Sequence, residues 1–187
     1  MKKIFLLFSI TLLSTMCFAQ GKYFTKTGKI DFDATAAKSP ENIKAVNKST
    51  TMVLDTKTGD MQFLVLMKGF EFSRALMQEH FNENYVESTK FPKAEFKGKI
   101  VDNAAVNYTK DGSYKVKVKG KLTMHGVTKD IDSDGVIIIK AGKITATASM
   151  VALFADYKIS IPTVVSDKVA KSATINITCA LELLKGK

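Results

Sequence analysis

The sequence is poor in the residue types from which catalytic and metal sites are most often built. It has no tryptophan, only two histidines and two cysteines, and a single arginine, Arg74. A catalytic zinc usually takes three protein ligands at recognisable spacing, and neither an H-E-x-x-H nor a C-x-x-C motif occurs. A G-x-S-x-G elbow, a G-x-G-x-x-G loop and a P-loop are also absent. These absences predict a protein that is not an enzyme and that holds no metal or nucleotide cofactor.

The first nineteen residues have the pattern of a signal peptide. A basic start is followed by an apolar run, and small residues precede a cleavage site after Ala19. The apolar run is too short to cross a bilayer. We therefore expect residues 1–19 to be removed and the chain to be exported in soluble form, to the periplasm or outside the cell. Acylation on Cys17 is the alternative, and the bulky Met16 before that cysteine disfavours it.

Removal of the leader leaves Cys179 as the sole cysteine, so no intramolecular disulfide can form. Stability must then come from a hydrophobic core. Residues 20–187 are long enough for one good core and too short for two domains. We therefore predict a single domain over residues 20–187.

The surface of this domain is predicted to be basic. The net charge of +10 falls by two, to +8, when Lys2 and Lys3 leave with the leader. The lysines are spread along the chain, however, and Arg74 stands alone, whereas proteins that read nucleic-acid grooves rely on the arginine fork. We expect no nucleic-acid partner. Weak contact with an anionic membrane surface and formation of a homodimer stay open.

Alternation of apolar and polar residues predicts an all-β domain of about eight antiparallel strands. The clearest run is Ser113–Met124, where lysines alternate with apolar residues over the whole length. Shorter or similar runs occupy Lys29–Ala34, Ala45–Asp55, Met61–Lys68, Ala94–Val101, Ile131–Lys140, Ile144–Phe154 and Ala173–Leu183. Hairpin turns are predicted at Thr58–Asp60, Lys110–Gly112 and Ala141–Gly142. Because no β-α-β alternation appears, a parallel sheet is disfavoured and a closed barrel is expected.

One segment has helical spacing instead. Between Ser73 and Ser88, Leu76, Met77, Phe81 and Tyr85 recur at helical spacing, and Met77, Phe81 and Tyr85 form one stripe. Ser73 is the expected N-cap, and Pro92 lies beyond the end. We predict a helical insert that lies across one opening of the barrel. Glu79, His80 and Glu83 on this insert could hold a metal ion, although a solvated helix face is the commoner explanation.

Small residues on the predicted inner faces indicate an internal apolar cavity. An eight-stranded barrel is about the size that either fills with side chains or holds one small ligand. The inward positions include several small residues, namely Gly120, Ala146, Ala148, Ala152 and Ala173. Small residues can also oppose large ones in a filled core, so a filled barrel remains the alternative.

Three stretches resemble the YceI-like family of exported bacterial proteins. They are "HFNENYVESTKFPKAEFKGKI" (His80–Ile100), "GKLTMHGVTKDI" (Gly120–Ile131) and "FADYKISIP" (Phe154–Pro162). Their order and spacing are similar to the family pattern, and "LTMHGVTK" is its most specific part. Two departures stand out: Asp130 replaces the usual proline after "GVTK", and the insert reads "HFNENYVES". Within "LTMHGVTK" we expect Gly126 to allow a turn or bulge and His125 to face outward near the strand end.

The resemblance implies a lipocalin-like antiparallel barrel whose elongated cavity holds a polyisoprenoid or another long-chain lipid. We accordingly expect non-catalytic carriage of a polyisoprenoid, an isoprenoid quinone or a fatty-acid-like molecule, with no cofactor besides such a bound lipid. The alternative is an exported interaction module, a filled barrel that docks through a basic face. An enzyme is the third hypothesis, and it would lose turnover on His80→Ala or His125→Ala.

Apolar lining can hold such a molecule, because each buried CH₂ contributes about 0.8 kcal/mol before ordering costs. The residues expected to line the cavity are Phe63, Val65, Phe72, Met77, Phe81, Val118, Leu122, Met150, Phe154 and Ile177. Arg74, His80 and Tyr85 are expected at the mouth, where a polar head group would sit. Tyr157 is expected to line the cavity or to seal its far end.

Overall fold

A computed structural model of the chain describes residues 21–184, so the predicted signal peptide at residues 1–19 lies outside the described residues. The regular elements are, in chain order, β1 (Lys22–Thr35), β2 (Lys44–Asp55), β3 (Asp60–Leu66), β4 (Phe70–Phe72), α1 (Ala75–His80), β5 (Lys93–Ile100), β6 (Gly112–Met124), β7 (Val127–Lys140), β8 (Lys143–Leu153) and β9 (Val169–Leu183). Each run with an alternating pattern has become a strand, because alternation places its apolar residues on one face of a sheet.

The strands form one antiparallel sheet that closes on itself. Neighbours follow the order β1-β9-β8-β7-β6-β5-β3-β2, and β2 pairs again with β1. β3 and β4 lie one after the other along the same edge of β2, so together they count as a single interrupted strand. The predicted eight-stranded antiparallel barrel with one helical insert is therefore confirmed.

A buried asparagine bridges the interruption between β3 and β4. The chain leaves the sheet there in a 3₁₀ turn, Met67–Gly69. Asn47 of β2, fully buried, donates from Nδ2 to the Leu66 carbonyl at 3.0 Å and accepts from the Ser49 amide at 2.8 Å. Since buried polar groups need partners, this side chain replaces the strand partner that Leu66 loses. Gly69 lies so close that a Cβ would come within 2.8 Å of Asn47 Nδ2.

Three of the four lysines on the outer face of β6 are paired with acidic residues on β7. Three cross-strand ion pairs join β6 to β7: Lys117 with Asp134 (2.8 Å), Lys119 with Asp132 (3.1 Å) and Lys121 with Asp130 (2.8 Å). Opposite charges on directly opposed residues stabilise a sheet modestly. Asp130, which departs from the family pattern, thus has a partner in this chain. The outer face of these strands is alternately charged and not a basic surface.

The barrel interior is packed at one end and hollow at the other. At the packed end, which carries the β2–β3 and β7–β8 hairpins, Leu54, Ile100 and Ile144 are almost completely buried. Each such side chain contributes about 1.5–3 kcal/mol on burial. The hollow end carries the longer connections, which contain α1 and a 3₁₀ turn at Phe154–Tyr157.

The helical insert is shorter than predicted and less regular. α1 ends at His80 and continues as a wider π-type turn, Phe81–Tyr85. The prediction of Ser73 as N-cap is wrong: Arg74 precedes the helix in extended conformation, and no side chain caps the first turn. The segment ends before Pro92, as expected. Among residues 21–184, no helix is long and apolar enough to cross a membrane.

Two hairpins have the same two-residue turn. His125 and Gly126 join β6 to β7 with φ values of 51° and 73°, and Ala141 and Gly142 join β7 to β8 with 50° and 72°. Positive φ at both positions is the type I′ geometry, which matches the twist of the flanking strands. The predicted turns at Ala141–Gly142 and Thr58–Asp60 are confirmed. The hairpin turn predicted at Lys110–Gly112 is wrong, because a longer connection, residues 101–111, joins β5 to β6.

Candidate functional site

An apolar cavity of about 310 Å³ occupies the hollow end of the barrel. Its floor consists of side chains that also belong to the packed core, among them Met52, Met61, Val116 and Ile137. Its sides are inward-facing residues from every strand of the barrel. The volume lies at the lower end of the range for small-molecule sites, about 300–1,000 Å³.

Phenylalanines form the cavity wall beneath α1. Phe81 follows Met77 by four residues, so both side chains lie on the same face and point into the barrel. The Phe81 ring packs against Phe32, Phe70 and Phe72, with centroids between 5.0 and 5.7 Å apart. Edge-on and tilted contacts of this kind are the favourable geometries for aromatic rings. They fix α1 over the open end and give the cavity one aromatic side.

Small inward-facing residues make room for the cavity, as the sequence predicted. Ala146, Ala148, Ala152 and Ala173 all line it. Gly120 differs, because a Cβ at that position would come within 2.7 Å of the Phe96 ring. The absence of a side chain at Gly120 therefore makes room for the Phe96 ring and does not enlarge the cavity.

Polar side chains gather at the mouth of the cavity, beside α1. Glu41, His80 and Lys168 line the cavity where it meets a shallow surface pocket. Arg74 borders only that outer pocket, and its Nη1 lies 2.7 Å from Glu41 Oε1 in an exposed ion pair. Exposed pairs of this kind contribute about 0–1 kcal/mol. Since Glu41 is engaged by Arg74, His80 and Lys168 are the mouth groups best placed to meet a polar head. Tyr85 lies deeper, and burial raises the pKa of its hydroxyl.

Twelve of the fourteen residues predicted as ligand contacts line this cavity. They are Phe63, Val65, Phe72, Met77, His80, Phe81, Tyr85, Val118, Leu122, Met150, Phe154 and Ile177. The other two, Arg74 and Tyr157, do not line it. Contact of the twelve with a ligand stays a prediction.

Tyr157 lies in a cluster outside the cavity lining, and His125 belongs to the same cluster. The expectation that His125 faces outward is wrong, since its side chain is only 9% exposed. Its Nδ1 lies 2.8 Å from the Tyr157 carbonyl and its Nε2 lies 2.8 Å from Glu87 Oε2. Phe91 packs against the ring with centroids 4.5 Å apart. The positive φ of His125 takes this side chain out of the strand alternation on which the prediction relied.

This cluster places an acceptor oxygen against each ring nitrogen of His125. It joins the β6–β7 turn to the segment after α1 and to the 3₁₀ turn at Phe154–Tyr157. Burial, together with the neighbouring Asp156, raises the pKa of the Tyr157 hydroxyl. The most specific part of the sequence motif therefore holds the rim of the cavity together.

Within residues 21–184, no three His, Cys, Asp or Glu side chains lie together in a way that could hold a metal ion. Cys179 is fully buried, and burial raises the pKa of its thiol to about 11. A thiol with so high a pKa is a poor nucleophile at neutral pH.

Two mouth residues, Glu41 and Lys168, were missed by the sequence reasoning. Both lie in connections without periodicity, so nothing in their local pattern indicated a position beside α1. Ile30 and Phe32 of β1 were also missed, although they line the cavity. The alternation in β1 could have identified that pair, because both lie on its apolar face.

Comparison with known proteins places this geometry in a family. A family model described as a YceI-like domain matches residues 8–181. No curated protein matches the chain significantly.

Several solved structures share the fold. A polyisoprenoid-binding domain from Saccharophagus degradans, implicated in plant cell wall breakdown, is 14% identical, with a TM-score of 0.76 over 88% of this chain and 99% of that one. BcnA from Burkholderia cenocepacia is 13% identical, with a TM-score of 0.66 over 83% of this chain and 96% of its own. A YceI protein from Campylobacter jejuni is 21% identical, with a TM-score of 0.58 over 79% and 86% of the two chains. At these identities the likeness concerns the fold.

Proposed function

Because the chain belongs to the YceI-like domain family, we propose that it binds and carries an elongated apolar lipid, such as a polyisoprenoid, an isoprenoid quinone or a fatty-acid-like molecule, without catalysing a reaction. The cavity is the observation that carries this proposal: its walls are predominantly apolar, and its charged groups are confined to the mouth. A structural neighbour is described as polyisoprenoid-binding, which supports the same class of ligand.

The energetics favour such a ligand. Each CH₂ group taken out of water contributes about 0.8 kcal/mol, and the ordering of the chain costs part of that gain. A lipid tail in the cavity would contact Phe81, Leu122 and Met150, while its head would lie near His80 and Lys168. Lys168 could pair with an anionic head such as a carboxylate or a phosphate.

The interaction module is the weaker candidate. It requires a filled barrel and a basic docking face, whereas one half of this barrel is hollow and three of the four β6 lysines are paired with aspartates. We propose further that the protein acts after export, on the strength of its signal-peptide pattern. Contact with anionic membranes and dimer formation stay predictions.

Extraction and titration test carriage directly. The protein is purified without detergent, extracted with organic solvent and analysed by mass spectrometry, and the delipidated protein is titrated with a fluorescent fatty acid. We expect a stoichiometric apolar species in the extract and saturable binding that a polyisoprenol displaces. An empty extract together with no uptake of either probe would contradict carriage.

A matched pair of substitutions assigns the binding to the cavity. Ala148→Phe adds a ring to the lining, whereas Ala180→Phe adds the same ring on the exposed face of β9. Ala148→Phe should weaken probe binding at least about ten-fold, equivalent to about 1.4 kcal/mol. Ala180→Phe should bind as the unmodified protein does. Equal affinity in all three proteins would show that the probe binds elsewhere.

A further inference from the structure

The barrel wall is incomplete between β7 and β8. β7 pairs with β6 from Val127 to Ile139, almost its whole length. With β8 it pairs only from Lys140 to Gly135, which lies opposite Ala148. β8 continues beyond that point to Leu153, paired with β9 on its other side. The two strands therefore separate halfway along the barrel, toward the hollow end.

The cavity passes through the wall at this place. In a closed antiparallel wall only alternate residues face the interior. Here three consecutive residues of each strand line the cavity, Gly135–Ile137 on β7 and Ala146–Ala148 on β8. The middle residues, Val136 and Thr147, lie opposite each other and are half-buried. Since residues from the inner face and from the outer face of the sheet line the same space, the interior and the outer surface meet there.

The gap is closed again toward the rim. The 3₁₀ turn at Phe154–Tyr157 packs between the strand ends, where Asp156 Oδ1 lies 3.6 Å from Lys129 Nζ. The Tyr157 carbonyl is held by His125 from the β6–β7 turn. A bounded side opening remains between this turn and the last β7–β8 pair. The cavity-lining residues on the two strands beside this opening are Ile131, Ser133, Val136, Thr147, Ala148 and Met150.

The length of the cavity limits the length of chain that it can enclose. From Ala152 near the mouth to Ala146 at the floor, the wall spans seven residues of β8, and the six steps between them make about 20 Å of strand. Beyond Ala146, the packed core blocks further penetration. A chain longer than the cavity must therefore fold back, protrude from the mouth or leave sideways.

We propose that the far end of a long bound chain leaves the barrel through the side opening, so that the protein accepts isoprenoid or acyl chains longer than its cavity. The head stays at the mouth beside His80 and Lys168, and the tail passes Ser133 between β7 and β8. This inference rests on the proposed carriage of an elongated lipid and adds a tail path and a chain-length specificity to it. Ser133 is the inward-facing hydroxyl on that path, and its Oγ donates to the Asp134 carbonyl at 3.2 Å.

Thiol protection tests the path. Ser133→Cys changes one atom, and Cys179 gives a low background because it is fully buried. The exposed Ser113→Cys is the control on β6. The delipidated variants are labelled with a water-soluble thiol reagent, alone and with an isoprenoid alcohol of either three or eight isoprene units. At a free probe concentration about ten times its Kd, occupancy of a site lowers its labelling rate about ten-fold.

We expect Ser133→Cys to react in the empty protein and to be protected about ten-fold by the long alcohol. The short alcohol, although bound, should protect it much less, and Ser113→Cys should be unaffected by either. Equal protection by both alcohols would mean that Ser133 merely borders the main cavity. No protection by a bound long alcohol would mean that the tail goes elsewhere. Both results overturn the side path while leaving carriage intact.

Two further outcomes are separable from these. If neither alcohol binds, as judged by displacement of a fluorescent fatty acid, the proposed carriage of isoprenoids fails and the side path fails with it. If the empty protein shields Ser133→Cys and the shielding disappears on dilution, a second copy of the chain covers the gap. That result would overturn the side path in favour of an interface along β7.

Discussion

At the scale of single residues, Cys179 shows how strongly the packed end excludes water. It lies on the inner face of β9 within the packed core, and burial raises the pKa of its thiol to about 11. The unfolded chain releases this proton near its ordinary pKa of 9.0. Unfolded molecules thus hold fewer protons than folded ones between these two values, and the free energy of unfolding must fall as pH rises through this range.

We predict a loss of at most about 3 kcal/mol from this thiol between pH 9 and pH 11, since one pKa unit corresponds to about 1.36 kcal/mol. Urea titrations at a series of pH values measure it. Cys179→Ala removes the titrating group, so its stability should decline less steeply over the same range. Parallel pH profiles for the two proteins would contradict the assignment to Cys179.

Residue-level prediction from the sequence succeeded where local alternation decides the answer. Ala146, Ala148 and Ala152 face inward because β8 has a strict period of two. Gly120 also lies at an inward position of an alternating strand, but it does not enlarge the cavity, since Phe96 from the neighbouring strand takes up its space. Which neighbour fills a gap depends on strand pairing, and no local pattern contains that information.

At the scale of elements, the two type I′ turns allow the contribution of the His125 side chain to be compared with that of a turn of similar conformation. His125-Gly126 and Ala141-Gly142 have φ values that agree within a few degrees, but only the first turn makes tertiary hydrogen bonds through a side chain. Asparagine tolerates positive φ, so it can replace either first residue without backbone strain. The difference between the two substitutions then reports the contribution of the His125 contacts.

We predict that His125→Asn destabilises the protein by about 2–4 kcal/mol, because it removes one hydrogen bond to a carboxylate and one to a carbonyl. Ala141→Asn should be neutral or slightly stabilising, since asparagine suits this conformation better than alanine. Chemical unfolding measures both effects. If the two variants changed stability equally, the Glu87 and Tyr157 contacts would be energetically unimportant.

The helical insert marks the limit of element-level prediction. Met77 and Phe81 were correctly placed on one face, because helical spacing is a local property. The start and the regularity of the helix were predicted wrongly, since Arg74 is extended and the last turn widens over Phe81–Tyr85. Aromatic contacts to β1 and β4 hold that wider turn, and such long-range contacts leave no trace in the local sequence.

At the scale of the whole molecule, the packed core and the cavity occupy different halves of one barrel. The sequence predicted closure, the number of strands and the presence of a cavity, all of which follow from alternation and from small inward residues. It could not predict that the cavity occupies one half, nor that β7 and β8 separate, because the extent of pairing between two strands is not contained in the pattern of either strand alone. The position of the cavity depends on which connections are long and on how they pack.

This division predicts opposite effects for two leucine substitutions. Leu54 is fully buried in the packed half, so Leu54→Ala should cost about 2–5 kcal/mol of stability and leave lipid affinity unchanged. Leu122 lines the cavity and is half-buried, so it has packing partners on fewer sides. Leu122→Ala should therefore cost less than about 2 kcal/mol and weaken binding of a fluorescent fatty acid. Urea unfolding and titration of the same samples separate the two effects. If both substitutions reduced stability and affinity by similar amounts, the packed end and the cavity lining would behave as one cooperative core, and the division into two halves would be contradicted.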